Sequence, residues 1–249
     1  MPAFSLRAGS SWVECIAFSP TTDVVITGAG KKLCAWNTNG ELLRQYTDFS
    51  STIADVKWSQ KGDKVAIAHY GGTSLYAPYT AEAPRKFEWQ GSTLKLAWSP
   101  DGKYIATGDQ DSTVHFWITA TGADLRMWGY QTKVLELSWD AKSRFLATGG
   151  GEQVIVWDCA GKGPENTRPL MLQGHNALIK TLAFQPQGPL LASGGLDGQV
   201  FVWHPKKGER ALASSVFAAG IAQVAWSPVD GRLAIGDENG LVVVAGIPA

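Results

Sequence analysis

The stretch LLASGGLDGQVFVW, residues 190–203, sets Ser193 and Asp197 four residues apart, with His175 a short way upstream. These residue types can serve as nucleophile, orienting acid and base of a hydrolase, or as polar groups that tie strands together. A catalytic serine of that kind sits on a strained, exposed turn such as G-x-S-x-G, beside an oxyanion hole. Ser193 instead lies inside the apolar run LLASGG, which reads as the middle of a buried strand. The stretch is therefore read as scaffold: a strand, a Gly/Asp turn at LDG, and a second strand that ends in Trp203.

The same grammar runs through the whole chain. ECIAFSP, ADVKWSQ, LKLAWSP, LELSWDA, KTLAFQP and AQVAWSP carry aromatics at Phe18, Trp58, Trp98, Trp139, Phe184 and Trp226, at intervals of 40, 40, 41, 45 and 42 residues. A period near 41 matches the length of one four-stranded propeller blade. Each unit opens with an alternating strand that ends in the aromatic, followed by a turn such as SPDGK. A second apolar strand follows (VVITG, YIATG, FLATG, LLASG), then a third (KLCAW, TVHFW, QVIVW, QVFVW) and a more polar outer strand (ELLRQY, RKFEW, DLRMW). Ten of the eleven tryptophans fall at strand ends, where they are expected to pack within or between blades; Trp12 is left over.

In its repeat length and strand pattern the chain resembles the WD-repeat β-propeller family over residues 12–245, with Trp157-Asp158 and Gly174-His175 as the signature letters it keeps. The resemblance implies an all-β propeller of four-stranded blades in one domain, residues 1–249, with units near 12–49, 50–91, 92–130, 131–175, 176–217 and 218–249. The sixth unit, ending LVVVAGIPA, has no fourth strand of its own. The N-terminal residues 3–7 are expected to complete it and close the ring. A longer native product with a seventh blade stays open at this point. The resemblance also implies a structural tetrad in the fifth unit of His175, Ser193, Asp197 and Trp203, linked by hydrogen bonds. In the fourth unit Tyr130 stands where the fifth has His175, and the third keeps Thr107, Asp111 and Trp117 without a histidine.

The remaining signals exclude more than they assign. Lys+Arg and Asp+Glu are balanced at 22 each, which argues against nucleic-acid and membrane-surface partners. Cys15, Cys34 and Cys159 make neither a zinc pattern nor a disulfide framework, so a reducing, cytoplasmic setting is expected, with no leader and no membrane span. TGAGKKL lacks the spacing of a phosphate loop, and DQDST lacks the glycine and distal glutamate of a calcium loop. His69, His115 and His204 fall in different units, so no metal, cofactor or catalytic residue is expected. The insert CAGKGPENTRP, residues 159–169, is read as a loop between third and fourth strands.

By resemblance, partners dock on the top face, at positions six and four before the first-strand aromatic and one before the turn aspartate. On this sequence those positions are Trp12, Glu14, Leu94, Gln110, Lys133, Leu135, Leu178, Lys180 and Leu196. The expected function is a monomeric, non-enzymatic scaffold for a protein or peptide. The alternative is small-molecule binding or hydrolysis in the central channel, for which convergent carboxylates, histidines or a metal would be needed.

Overall fold

The structure is a computed structural model that describes residues 5–47, 49–80, 82–161, 163–164 and 167–247. It is an all-β propeller fold; the only helix among the described residues is a 3-10 turn at Pro205–Lys207. The chain divides into two compact units. One comprises Met1–Trp98, Gly102–Asp111 and His115–Asp124; the other comprises Ser99–Asp101, Ser112–Val114 and Leu125–Ala249.

Antiparallel strands fall into five blades, not the six expected. The first is β1 (Val13–Phe18), β2 (Val24–Ala29), β3 (Lys32–Asn37) and β4 (Leu42–Tyr46). The second is a six-stranded sheet: β5 (Asp55–Trp58), β6 (Val65–Tyr76), β7 (Arg85–Trp98), β8 (Tyr104–Asp109), β9 (Val114–Ile118) and β10 (Asp124–Met127). Two sequence repeats merge here: in RKFEWQGSTLKLAW only Gly91 and Ser92 are turn formers, with no Pro, Asn or Asp to close a turn. β7 therefore stays extended for 14 residues, pairing with β6 through Tyr70 and Ser92 and with β8 through Thr93 and Asp109.

The third blade is β11 (Glu136–Trp139), β12 (Phe145–Gly149), β13 (Val154–Asp158) and β14 (Leu170–Leu172). The fourth is β15 (Ile179–Phe184), β16 (Leu191–Gly195), β17 (Gln199–Trp203) and β18 (Ala211–Val216). The fifth has three strands among the described residues, β19 (Ile221–Trp226), β20 (Leu233–Asp237) and β21 (Val242–Ala245). The expected closure by residues 3–7 is not found. Ser5–Arg7 forms no strand, and Ala3 and Phe4 lie outside the described residues. The 159–169 insert does join β13 to β14; its residues 162, 165 and 166 are also outside the description.

Burial follows strand position. The second strands β2, β12 and β16 are buried along their whole length, as their runs of small and β-branched residues require. Outer strands β4 and β18 are largely exposed. Side chains from successive sheets form the core. In the first unit Ile26, Leu33 and Ala35 meet Ile53, Val56 and Val65; in the second, Ala147, Val154 and Val156 meet Leu182, Phe184 and Leu191. Full burial of each such aliphatic side chain contributes about 1.5–3 kcal/mol.

Close approach needs a residue without a side chain just after the Thr or Ser of the second strand. A Cβ on Gly194 would stand 2.5 Å from Ile221 Cγ2, and one on Gly28 would stand 2.6 Å from Cys15 Sγ.

The first-strand tryptophans also latch one strand to the next. Trp58 Nε1 donates to the carbonyl of Ala17 at 3.1 Å, and Trp98 Nε1 to that of Lys57 at 3.1 Å. In the second unit Trp226 Nε1 donates to Ala183 at 2.8 Å. Each indole thus reaches the residue just before the aromatic of the preceding repeat. Trp128 departs from the expectation of packing: it follows β10 and is 74% exposed.

Candidate functional site: buried polar relays and bulged strand starts

His175, Ser193, Asp197 and Trp203 form one continuous relay in the fourth blade. Trp203 Nε1 donates to Ser193 Oγ at 2.9 Å, and the serine is 2.8 Å from His175 Nε2. His175 Nδ1 faces Asp197 at 3.2 and 3.3 Å, and that carboxylate also accepts the main-chain N–H groups of Asn176 (2.8 Å) and Gln199 (3.0 Å). One proton arrangement satisfies every member: Nδ1–H donates to Asp197, and the serine hydroxyl donates to Nε2. Burial pushes the imidazole below its usual range, more strongly than the Asp197 hydrogen bond raises it. Asp197 pays the opposite desolvation but is held below the usual carboxylate range by the N–H groups of Asn176 and Gln199 and by His175.

Ser193 is fully buried, and the histidine side chain is 1% exposed. A reactant cannot reach either group without opening the blade. The relay therefore ties the loop before β15 to β16, to the turn after it, and to β17.

The third blade carries a variant of this relay. Trp157 Nε1 donates to Tyr130 Oη at 2.9 Å, Tyr130 lies 2.9 Å from Thr148 Oγ1, and Thr148 donates to the Ile155 carbonyl at 3.1 Å. Burial raises the phenol to about 12, so it stays protonated and serves as both donor and acceptor. In the first blade only the last link persists, with Trp36 Nε1 donating to Thr27 at 2.9 Å. In the second sheet Thr107 donates to Asp109 at 3.0 Å rather than joining an arrangement with Asp111 and Trp117. His115, invisible to the sequence reading as a structural residue, is buried there against Asp124 at 2.7 Å and stacks on Trp117. Burial raises Asp109 to about 6 despite the nearby His115.

The residues expected to dock partners lie at or near strand starts, in turns and, for Leu94, within β7. Three of them turn out to be the extra residue of a β-bulge: the register slips between Val13 and Cys15, Thr93 and Lys95, and Ile179 and Thr181, leaving Glu14, Leu94 and Lys180 outside the pairing. A bulge frees one residue from the ladder and re-aims its side chain. Leu135 immediately precedes β11, which pairs without a bulge.

In the second unit Leu178 and Leu196 are brought together by a main-chain bond, Leu196 N to Leu178 O at 3.0 Å, next to Lys180. They are 37% and 41% exposed, and Lys180 and Lys133 are exposed as well. In the first unit Gln110 N bonds Ser92 O at 3.0 Å, two residues from the half-buried Leu94. Trp12 is 86% exposed and does not pack into the first blade. Sequence reasoning missed its neighbours Val13, Ile16 and Phe18, which are 54, 61 and 66% exposed.

Among the described residues no group of three His, Cys, Asp or Glu side chains is placed to hold a metal ion, and no helix is long and apolar enough to cross a membrane. Comparison with known proteins agrees with the repeat geometry. The family model described as WD domain, G-beta repeat matches residues 2–37, 86–117 and 166–204. Periodic tryptophan protein 2 of Arabidopsis thaliana is 27% identical over 211 residues, which cover 79% of this chain and 22% of that protein. Actin-interacting protein 1 of Drosophila melanogaster is 24% identical over 225 residues, covering 82% of this chain and 37% of the relative. A probable cytosolic iron-sulfur protein assembly protein 1 of Mycosarcoma maydis is 32% identical over 116 residues, 46% of this chain and 22% of that protein. The chain thus spans well under two thirds of these relatives' lengths. Its repeats, its blades and the proteins it is similar to agree: the chain carries WD repeats on a β-propeller fold.

Proposed function

We propose that the chain is a non-enzymatic docking scaffold that holds a protein or peptide through Trp12, Leu178, Lys180 and Leu196. Proteins of this family generally mediate protein interactions, and one relative is named for interaction with actin. The observation that carries the reading is Trp12. An indole that is 86% exposed leaves a large apolar surface in water, and tryptophan is the residue type most enriched among interface hot spots. The paired leucines beside Lys180 supply a second apolar contact with a cation at its edge. Burial of Ser193 and His175 speaks against hydrolysis by that pair. The free cysteines support a reducing, cytoplasmic setting.

The test is affinity capture with mass spectrometry on wild type and a Trp12→Ala/Lys180→Glu variant of equal melting temperature. A protein enriched by wild type and lost by the variant supports the reading. Recovery of the same partner by both proteins removes these residues from the interface.

A further inference from the structure

The opposite end of the second unit's strands carries a different surface. Leu178 and Lys180 stand where β15 begins, and Leu196 precedes β17. The turns after β11, β15 and β17 enclose a cavity of about 420 Å3 at the other ends of those strands. Its floor is apolar: Phe145 and Phe184, each 7% exposed, with Pro205 buried beside them and Pro189 exposed at the edge.

The rim is cationic. Lys142 and Lys206 are both exposed and line the cavity, and neither forms an ion pair among the described residues. The nearby acids are already engaged. Asp140 Oδ1 accepts the main-chain N–H groups of Arg144 at 2.6 Å and Phe145 at 2.7 Å. Asp158, which Lys206 also faces, is held by Arg144 at 2.7 Å. Two ammonium groups against the single lining carboxylate of Asp140 leave a net positive rim over an aromatic and proline floor, which favours an anionic ligand with one large apolar group. The volume holds one large side chain and its adjoining backbone, far less than a folded element needs.

We infer that this cavity is a second docking site, which takes an acidic linear peptide. One aromatic side chain of the peptide enters between Phe145 and Phe184, and flanking carboxylates meet Lys142 and Lys206. The cavity shares no lining residue with the site proposed above, so each reading can fail alone.

Fluorescence anisotropy tests it, with the full chain and a labelled heptapeptide of three glutamates, one phenylalanine and three glutamates. The expected result is binding that weakens with added salt, falls about tenfold or more in Lys142→Glu/Lys206→Glu, and falls about tenfold when the peptide phenylalanine becomes alanine. Both lysines are exposed, and matched melting curves establish that the variant folds. Lys180→Glu leaves the affinity unchanged. Absence of binding, equal binding of the alanine peptide, or binding unaffected by the double charge reversal overturns the assignment. Loss of binding in Lys180→Glu alone moves the peptide to the other end of the strands and overturns it as well.

Discussion

Trp157 donates its indole proton to the phenol of Tyr130 at 2.9 Å, whereas in the next blade the indole of Trp203 reaches Ser193 directly. The two aromatics before the first strand, Tyr130 and His175, occupy equivalent places nine residues ahead of Trp139 and Phe184. A phenol carries one oxygen that both donates and accepts, so it must sit in the middle of its chain. An imidazole has two separated nitrogens and can bridge serine to aspartate. The relay is thus conserved in outcome between blades while its order changes.

Tyr130→Phe keeps the ring and removes only the oxygen. Trp157 Nε1 then loses its acceptor and Thr148 loses a partner, both inside the third blade. The expected loss of stability is about 1–3 kcal/mol, read as a lowered urea midpoint with an unchanged slope. A midpoint equal to wild type would show that water replaces the phenol oxygen.

Gly194→Ala tests how closely the last two sheets approach. The added methyl would meet Ile221 Cγ2 at 2.5 Å and Ile221 Cβ at 2.9 Å, both on a fully buried side chain. Overpacking of this kind costs about 1–3 kcal/mol, so the melting temperature should fall by several degrees. Gly236→Ala is the control. A Cβ there has only the Gln223 carbonyl oxygen, at 4.0 Å, within reach, so the change should be small.

The pH dependence of stability has two opposing sources. His175 is depressed in the fold by burial, so the unfolded chain takes up its proton first. Its contribution is present above the unfolded value near 6.5 and is lost as pH falls below it. Asp109 is raised by burial to about 6, so its contribution is full below the unfolded value near 3.9 and is lost as pH rises through about 6. His175→Ala should destabilise by about 1–3 kcal/mol at neutral pH and lose part of the acid sensitivity between about pH 7 and 5. Asp109→Asn should become relatively more stable as pH rises over that range. Variant-minus-wild-type curves that run parallel across the window would contradict both assignments.

Cysteine labelling separates burial from chemistry. All three thiols are free, and burial pushes each of them up: Cys15 to about 12, with Cys34 and Cys159 raised as well. At pH 8 none should react readily with iodoacetamide in the folded protein, and all three should react in denaturant. Rapid labelling of Cys15 in the folded state would show that β1 opens locally.

Strand content, the period near 41 and the partners in the fourth-blade relay are legible in the sequence. Each depends on residues a few positions apart in one repeat, where alternation and turn chemistry act locally. Three things were decided only in the tertiary structure. The strand ends Phe18 and Phe184 read alike in sequence, yet one is 66% exposed and the other 7%. The merger of two repeats through β7 follows from pairing with both β6 and β8, which no single repeat reveals. The bulges at Glu14, Leu94 and Lys180 are likewise set by register against a neighbouring strand. The physical division is one of range. Periodicity fixes what a segment becomes, but burial and register belong to pairs of segments and exist only once both are in place.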